Sequence, residues 1–146
     1  MERVIKEAIK NFLRQNNLIS KLQHGFCNGK STVTNLVEFL DKLTQWYDEG
    51  HSVDVAYFDF AKAFYVIDHK LLVSKVDSIW VRGRVLAWLS DWLRGRQQRV
   101  IVEGEESTCR DVPSSVVQGS VLSGLLFVIF INDIDVGIGS FLKICQ

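Results

Sequence analysis

The most constraining feature of the sequence is a nearly uninterrupted apolar run over residues 121–131. The run is too long for a typical strand, and it lacks the alternation of a half-buried strand, so it predicts a helix that is buried on all sides. Such a helix needs a core around it, and 146 residues with 47% hydrophobic content suffice for one sizeable core. The sequence therefore predicts a single domain.

Three amphipathic helices are predicted elsewhere in the chain. Apolar residues recur at helical spacing over residues 4–13, and a third helix is expected at about residues 84–94, where Gly95 ends it. Between them, Ser31 can cap a helix that ends before Gly50. One face of that helix carries Val33, Leu36, Val37, Leu40 and Leu43.

Strands are predicted in three places. Residues 52–60 are β-branched or aromatic on alternating sides, which favours a strand with Asp59 near its carboxyl end. Residues 98–102 and 108–112 predict two short strands that form a hairpin through Gly104. Helices and strands follow one another without a regular βαβ order, so the predicted fold class is α+β.

Charge and cysteines exclude several classes of protein. The 17 basic and 17 acidic residues balance, so the chain as a whole does not attract phosphate backbones. The three cysteines, Cys27, Cys109 and Cys145, form no metal-binding spacing and are interpreted as plain thiols of a reducing compartment. The charged opening predicts neither signal peptide nor membrane anchor. We expect a soluble intracellular protein, nuclear or cytoplasmic.

Asp59 is the sharpest candidate for chemistry because a carboxylate within an apolar strand needs a partner, a hydrogen-bond set or a metal. It can equally cap the next turn. A hard cation requires several oxygen ligands, and Asp54 points to the opposite face of the predicted strand. A second candidate is the turn at residues 117–120, where free amides that open the apolar helix favour phosphate, unless the turn is only a helix cap.

A local basic segment is the third candidate. Five arginines are interleaved with Trp88 and Trp92 and could follow a nucleic-acid backbone. The alternative is a solvated helix face over tryptophans of the core. The arginines are Arg82, Arg84, Arg94, Arg96 and Arg99.

Taken in order, the motifs resemble the reverse transcriptases of LINE-type (non-LTR), jockey-like retrotransposons. The resemblance is carried by Asn17-Leu18-Ile19-Ser20, Gln23-His24-Gly25-Phe26, Lys30-Ser31, Asp59-Phe60-Ala61-Lys62-Ala63-Phe64, Gly95-Arg96-Gln97-Gln98-Arg99-Val100, Gln118-Gly119-Ser120-Val121-Leu122, Leu125-Leu126-Phe127 and Ile131-Asn132-Asp133. It implies one partial reverse transcriptase domain over residues 1–146 of a right-hand polymerase. Residues 1–50 would form fingers helices, and residues 51–146 fingers and palm.

The resemblance also implies the reaction, which is attack of a DNA primer 3′-OH on a dNTP directed by an RNA template. Asp59 matches the first metal-binding aspartate of a two-Mg²⁺ site, with the main-chain carbonyl of Phe60 as a further ligand. No membrane contact and no obligate protein partner is implied.

Five residues match positions that face the nucleotide in this family. The backbone amides of Lys62 and Ala63 would approach the triphosphate, and Phe64 matches the aromatic steric gate against a ribose 2′-OH. Gln118 and Gly119 match the motif that contacts the nucleotide and the templating pair.

The sequence departs from the family at several positions. Cys27 stands where an arginine is expected near the triphosphate, and Tyr65 stands where an aspartate commonly follows the steric gate. The proline before Gln118 is lost. The family's FADD hairpin, expected shortly after residues 140–143, does not occur up to Gln146, nor does a thumb.

These departures predict that the 146-residue polypeptide alone is inactive, because one of three expected carboxylates is present. Two alternatives stay open. The chain could bind nucleic acid without catalysis, with backbone contacts from Arg94, Arg96 and Arg99. It could also be an unstable remnant of a decayed mobile element that exposes a sheet edge and apolar surface.

Overall fold

The computed structural model describes residues 1–24 and 29–144, which form an α+β arrangement of helices and very short strands. Cys27, its neighbours Gly25, Phe26 and Asn28, and Cys145 lie outside the described residues, so the predictions on them are not addressed. The helices are α1 (Glu2–Gln15), α2 (Thr32–Asp48), α3 (His69–Ser78), α4 (Arg84–Leu93) and α5 (Ser123–Phe130). The strands are β1 (Gln97–Gln98), β2 (Ile101–Val102), β3 (Glu105–Glu106) and β4 (Arg110–Asp111).

The predicted helices are confirmed, and their ends follow from local chemistry. Ser31 caps α2, since its hydroxyl accepts a hydrogen bond from the Thr34 amide at 3.1 Å while the Thr34 hydroxyl accepts from the Ser31 amide at 2.8 Å. Helix α3 was not predicted. Its signal is Asp68, whose carboxylate accepts from the Leu71 amide at 2.8 Å and caps the helix.

The core forms where α3 packs between α4 and α5, with α1 closing one side. Helix α5 is buried from Ser123 to Ile129, so the prediction of a helix surrounded by core is confirmed. It begins two residues later than expected, at Ser123 instead of Val121. The fully buried side chains of the core include Leu13, Ile67, Leu72, Val76, Leu89, Leu93, Leu122 and Leu126.

The predicted hairpin is also confirmed, although its strands are shorter. Strand β2 pairs with β3 and β1 with β4, both antiparallel, and Val102 lies opposite Glu105. The two turn residues Glu103 and Gly104 have φ of 52° and 90°, as a two-residue turn with the twist of the strands requires. The returning strand therefore begins at Glu105, three residues before the predicted Thr108.

The predicted strand over residues 52–60 is wrong. None of these residues has strand structure, and none pairs with another described segment. A strand is stabilised by backbone hydrogen bonds to a neighbour, so alternating side chains alone do not produce one. Without a partner the segment is solvated, and Tyr57 and Phe58 are 85% and 92% exposed.

Helix α2 forms as predicted, but its apolar face is not covered by the described residues. Val33, Leu36, Val37 and Leu40 are all exposed, whereas the buried side chain of the helix is Asn35. The Asn35 amide donates to the carbonyl of Ile144 at 2.8 Å. Exposed apolar surface of this kind is unusual for a folded monomer.

Asn132 joins the end of α5 to the loop that follows α1. Its side-chain amide donates to the carbonyl of Leu18 at 2.8 Å, and its side-chain oxygen accepts from the amide of Ser20 at 2.8 Å. The Ser20 hydroxyl also donates to Asp135 at 3.1 Å. Two motifs that are far apart in sequence, residues 17–20 and residues 131–133, are therefore in contact. This contact gives both motifs a structural role that requires no ligand.

Two further observations concern the chain as a whole. Among the described residues no helix is long and apolar enough to cross a membrane. Cys109 is exposed and is not part of a disulfide.

Candidate functional site

The segment after Asp59 is joined to the segment before α5 by backbone hydrogen bonds. The Val116 amide donates to the carbonyl of Phe64 at 3.0 Å, and the Ser115 amide donates to the carbonyl of Ile67 at 2.9 Å. Val116 and Ile67 are buried, 2% and 0% exposed. The core thus fixes two candidate regions against each other.

Gln118 lies directly beyond this junction, exposed, and is held by Tyr65. The Tyr65 hydroxyl donates to the side-chain oxygen of Gln118 at 2.8 Å. Gly119 follows with φ of 84°, a left-handed conformation that favours glycine. Gln118 and Gly119 therefore lie in a turn that precedes α5, as predicted for residues 117–120. The helix begins at Ser123, whose amide donates to the Ser120 hydroxyl at 3.1 Å.

Phe64 is supported from behind by α5. Its ring lies on that of Phe127, with centroids 4.8 Å apart and planes tilted by 33°. The ring of Phe60 meets Phe127 edge-on at 6.5 Å. Phe127 is buried, 5% exposed, so it is a rigid platform for the Phe64 ring. The sequence predicted the burial of Phe127 but not its contact with Phe64.

Asp59 is exposed and forms no hydrogen bond or ion pair with another described residue. The turn that follows is closed by the Tyr65 amide, which donates to the carbonyl of Lys62 at 2.8 Å. Lys62 has φ of 56°, which is uncommon for a residue with a side chain. Asp59 does not cap this turn, so the alternative prediction, a carboxylate that only caps the next turn, is not observed.

The described residues do not complete a metal site. Within residues 1–24 and 29–144, no group of three or more His, Cys, Asp or Glu side chains could hold an ion. Mg²⁺ requires several oxygen ligands, and Asp59 alone cannot provide them.

A second polar cluster lies where the Gln23-His24 motif meets α2. The Lys30 ammonium donates to the carbonyls of Lys21 and, at 3.1 Å, Gln23, so it ties the residue before the α2 cap to the segment that ends in His24. His24 is 3% exposed, and its Nε2 lies 3.4 Å from a carboxylate oxygen of Glu38. Burial, followed by the nearby Lys30 charge, lowers the pKa of His24 below its ordinary value.

The predicted basic segment is divided between paired and unpaired arginines. Arg82 pairs with Asp77 at 2.8 Å, and Arg99 pairs with Glu106 across the hairpin. Arg94 is exposed and has no ion pair with a described residue.

The tryptophans beside these arginines are half-buried and pack against the core. The rings of Trp88 and Trp92 stack with centroids 6.0 Å apart, and the guanidinium of Arg96 lies 5.5 Å from the Trp92 ring centroid. The tryptophans therefore serve the core, as the second interpretation predicted, while Arg94 is exposed.

The α+β fold joins the segment that follows Asp59 to the segment that carries Gln118 and Gly119. In a comparison with known families, residues 1–145 match the family described as "Reverse transcriptase (RNA-dependent DNA polymerase)". The chain belongs to this family.

Two curated proteins of Drosophila melanogaster are similar to it. "Probable RNA-directed DNA polymerase from transposon BS" is 28% identical over 133 residues, which is 91% of this chain and 15% of that protein. "Probable RNA-directed DNA polymerase from transposon X-element" is 27% identical over 132 residues, 90% of this chain and 14% of that protein. The chain thus spans a small part of the length of these relatives. No solved structure matches it.

Proposed function

We propose that this chain is the part of a LINE-type, jockey-like retrotransposon polymerase that binds the incoming nucleotide. Residues 1–50 would belong to the fingers, and residues 51–146 to the fingers and palm. The substrates of the parent enzyme would be a dNTP, an RNA template and a DNA primer. Family membership and the two transposon relatives support this proposal.

The observation that carries the proposal is the junction between residues 64–67 and 115–118. Phe64 and Gln118 are far apart in sequence, and the family assigns both to the nucleotide. The Val116–Phe64 backbone bond of 3.0 Å and the Tyr65–Gln118 bond of 2.8 Å join their segments on one surface. A steric gate and a polar contact must face the same ligand, and this junction permits it.

The remaining roles are assigned within the same surface. The backbone of Lys62 and Ala63 would approach the triphosphate, and Gly119 would allow close approach of the templating pair. In the parent enzyme Asp59 and the carbonyl of Phe60 would be ligands of one Mg²⁺, which would polarise phosphate oxygens there. The other ligands must come from outside the described residues.

Nucleotide binding can be tested directly on the 146-residue chain. A titration of the ¹⁵N-labelled protein with dTTP and MgCl₂ should shift backbone amides of residues 59–65 and 117–120. A Phe64→Ala variant should bind dTTP and UTP with more equal affinity, because the ring that opposes the 2′-OH is removed. The matched control is Phe58→Ala, which deletes a phenylalanine that is 92% exposed.

The proposal is wrong if dTTP shifts no amide of these two segments in the folded chain. It is also contradicted if Phe64→Ala and Phe58→Ala change the preference for dTTP over UTP equally. Shifts confined to residues 94–99 would instead indicate general phosphate binding by the arginines.

We further propose that this polypeptide alone does not polymerise DNA, since its described residues offer no complete carboxylate set for two-metal chemistry. A primer-extension assay with poly(rA)·oligo(dT), dTTP and MgCl₂ should show no product. Extension that Asp59→Ala abolishes would refute the proposal.

A second candidate function is noncatalytic binding of nucleic-acid backbones. Arg94 is exposed without an ion pair to a described residue, and Arg96 lies over the Trp92 ring. Such binding should persist in EDTA and weaken steeply with salt, because it releases counterions. Arg94→Gln should reduce the salt dependence, whereas Arg82→Gln, which removes an arginine paired with Asp77, should reduce it less.

A further inference from the structure

We propose that Tyr65 is a positioning residue that determines which end of the Gln118 amide faces the nucleotide. The inference rests on the proposed function, because it assumes that Gln118 contacts a nucleotide. It concerns the position at which this chain carries a tyrosine in place of an aspartate. Its physical basis is the hydrogen bond of 2.8 Å from the Tyr65 hydroxyl to the Gln118 side-chain oxygen.

The backbone of Tyr65 is fixed before its side chain is considered. Its amide donates to the carbonyl of Lys62 at 2.8 Å, and its carbonyl accepts from the Ser114 hydroxyl at 3.0 Å. On the other side, Val116 is buried and bonded to Phe64, two residues before Gln118. Both side chains therefore start from ordered backbone, so the bond between them requires little further loss of conformational entropy.

The Tyr65 ring is largely in solvent. It is 58% exposed. A ring of this size left in solvent contributes little to stability by burial. Removal of the hydroxyl alone should therefore leave the fold intact, which makes Tyr65→Phe a clean test.

The polarity of the bond has a consequence for recognition. An amide side chain has one acceptor oxygen and one donor nitrogen with two hydrogens. Because Tyr65 donates to the oxygen, the nitrogen of Gln118 remains free to donate to an acceptor, such as a sugar, base or phosphate oxygen. A carboxylate at position 65 could only accept, and it would bind the nitrogen and present the oxygen instead. The tyrosine thus reverses the end that is presented.

The test combines binding with a local spectroscopic signal in the 146-residue chain. Tyr65→Phe should shift the side-chain ¹⁵N resonance of Gln118 and weaken binding of dTTP with MgCl₂ by about 3- to 10-fold, the effect of one net hydrogen bond. Gln118→Glu keeps the acceptor for Tyr65 but removes the free donor, and it should weaken binding similarly. The double variant should be no weaker than either single variant, because the two residues act as a unit.

The control is Tyr57→Phe, which removes a hydroxyl from a tyrosine that is 85% exposed. It should change neither dTTP affinity nor the Gln118 resonance. Tyr65→Asp should shift the Gln118 resonance in a different way from Tyr65→Phe, because a carboxylate can only accept and would bind the amide nitrogen.

The outcomes separate the inference from the function on which it rests. If Gln118→Glu weakens dTTP binding and Tyr65→Phe does not, positioning by Tyr65 is overturned and nucleotide binding stands. Additive losses in the double variant also overturn it, since Tyr65 would then act independently of Gln118. If the folded parent chain does not bind dTTP, both the proposed function and this inference fail.

Discussion

Replacement of Asn132 by alanine should remove the contact between the end of α5 and the loop after α1. The Asn132 side chain is half-buried and makes hydrogen bonds of 2.8 Å to the backbone of both Leu18 and Ser20. Each such bond contributes about 0.5–1.5 kcal/mol net, so their loss should cost about 1–3 kcal/mol. The backbone groups left behind are only partly accessible to water, which favours the upper half of this range.

Urea unfolding followed by far-UV circular dichroism measures this loss. With a dependence of about 2 kcal/mol per M urea, the midpoint of Asn132→Ala should fall by about 1 M relative to the parent chain. The matched control is Asn11→Ala on the exposed side of α1. Asn11 makes a single contact of 3.5 Å with Arg14, and alanine favours helix, so its midpoint should change little.

Equal midpoints for the two variants would refute the reasoning, because they would show that the Asn132 contact contributes nothing beyond an exposed asparagine. A fall in midpoint accompanied by a lower slope would also contradict it. That result would indicate that the folded or the unfolded state had changed in compactness, and not only that the two hydrogen bonds of Asn132 were lost.

Two further predictions concern charge. Because burial lowers the pKa of His24, the folded chain binds fewer protons than the unfolded chain once the pH is below the ordinary histidine pKa. The free energy of unfolding should therefore be higher above that pKa and should fall as the pH drops below it. Urea midpoints between about pH 7.5 and about pH 5.5 should decline less in His24→Gln, whereas His51→Gln, at an exposed histidine, should decline like the parent. Lys75 donates to the carbonyl of Phe130 and to Asp133, each at 2.5 Å. Lys75→Met should therefore lower the thermal midpoint by an amount equivalent to about 1–2 kcal/mol. An unchanged midpoint would show that these two contacts do not stabilise the fold.

The sequence predicted the parts of the fold whose signals are local. The apolar run gave the buried helix α5, Ser31 gave the start of α2, and Gly104 gave the hairpin turn, because caps, turns and burial depend on neighbouring residues. Helix α3 was overlooked although Asp68 signalled its start.

The arrangement around the candidate residues was only partly predictable. The motifs named Phe64 and Gln118 but could not show that the Phe64 ring packs on Phe127 or that Tyr65 donates a hydrogen bond to Gln118. Such contacts depend on how α5 packs, which is a tertiary property that no single stretch of sequence encodes. The start of α5 was predicted two residues too early, at Val121 instead of Ser123.

The absence of a strand over residues 52–60 divides the candidate site into two halves. The core holds the half with Phe64 and Gln118, and it does not hold the Asp59 carboxylate. Phe64 and Gln118 are held through Val116 and Phe127 to the core, so substitutions in α5 should disturb both. Asp59 follows a solvated segment that pairs with no described residue, so nothing in the core fixes its carboxylate. The alternation of residues 52–60 suits a strand, which requires a neighbour to supply its hydrogen bonds. Any metal chemistry proposed for Asp59 would therefore depend on such a neighbour, whereas the arrangement of Phe64 and Gln118 does not.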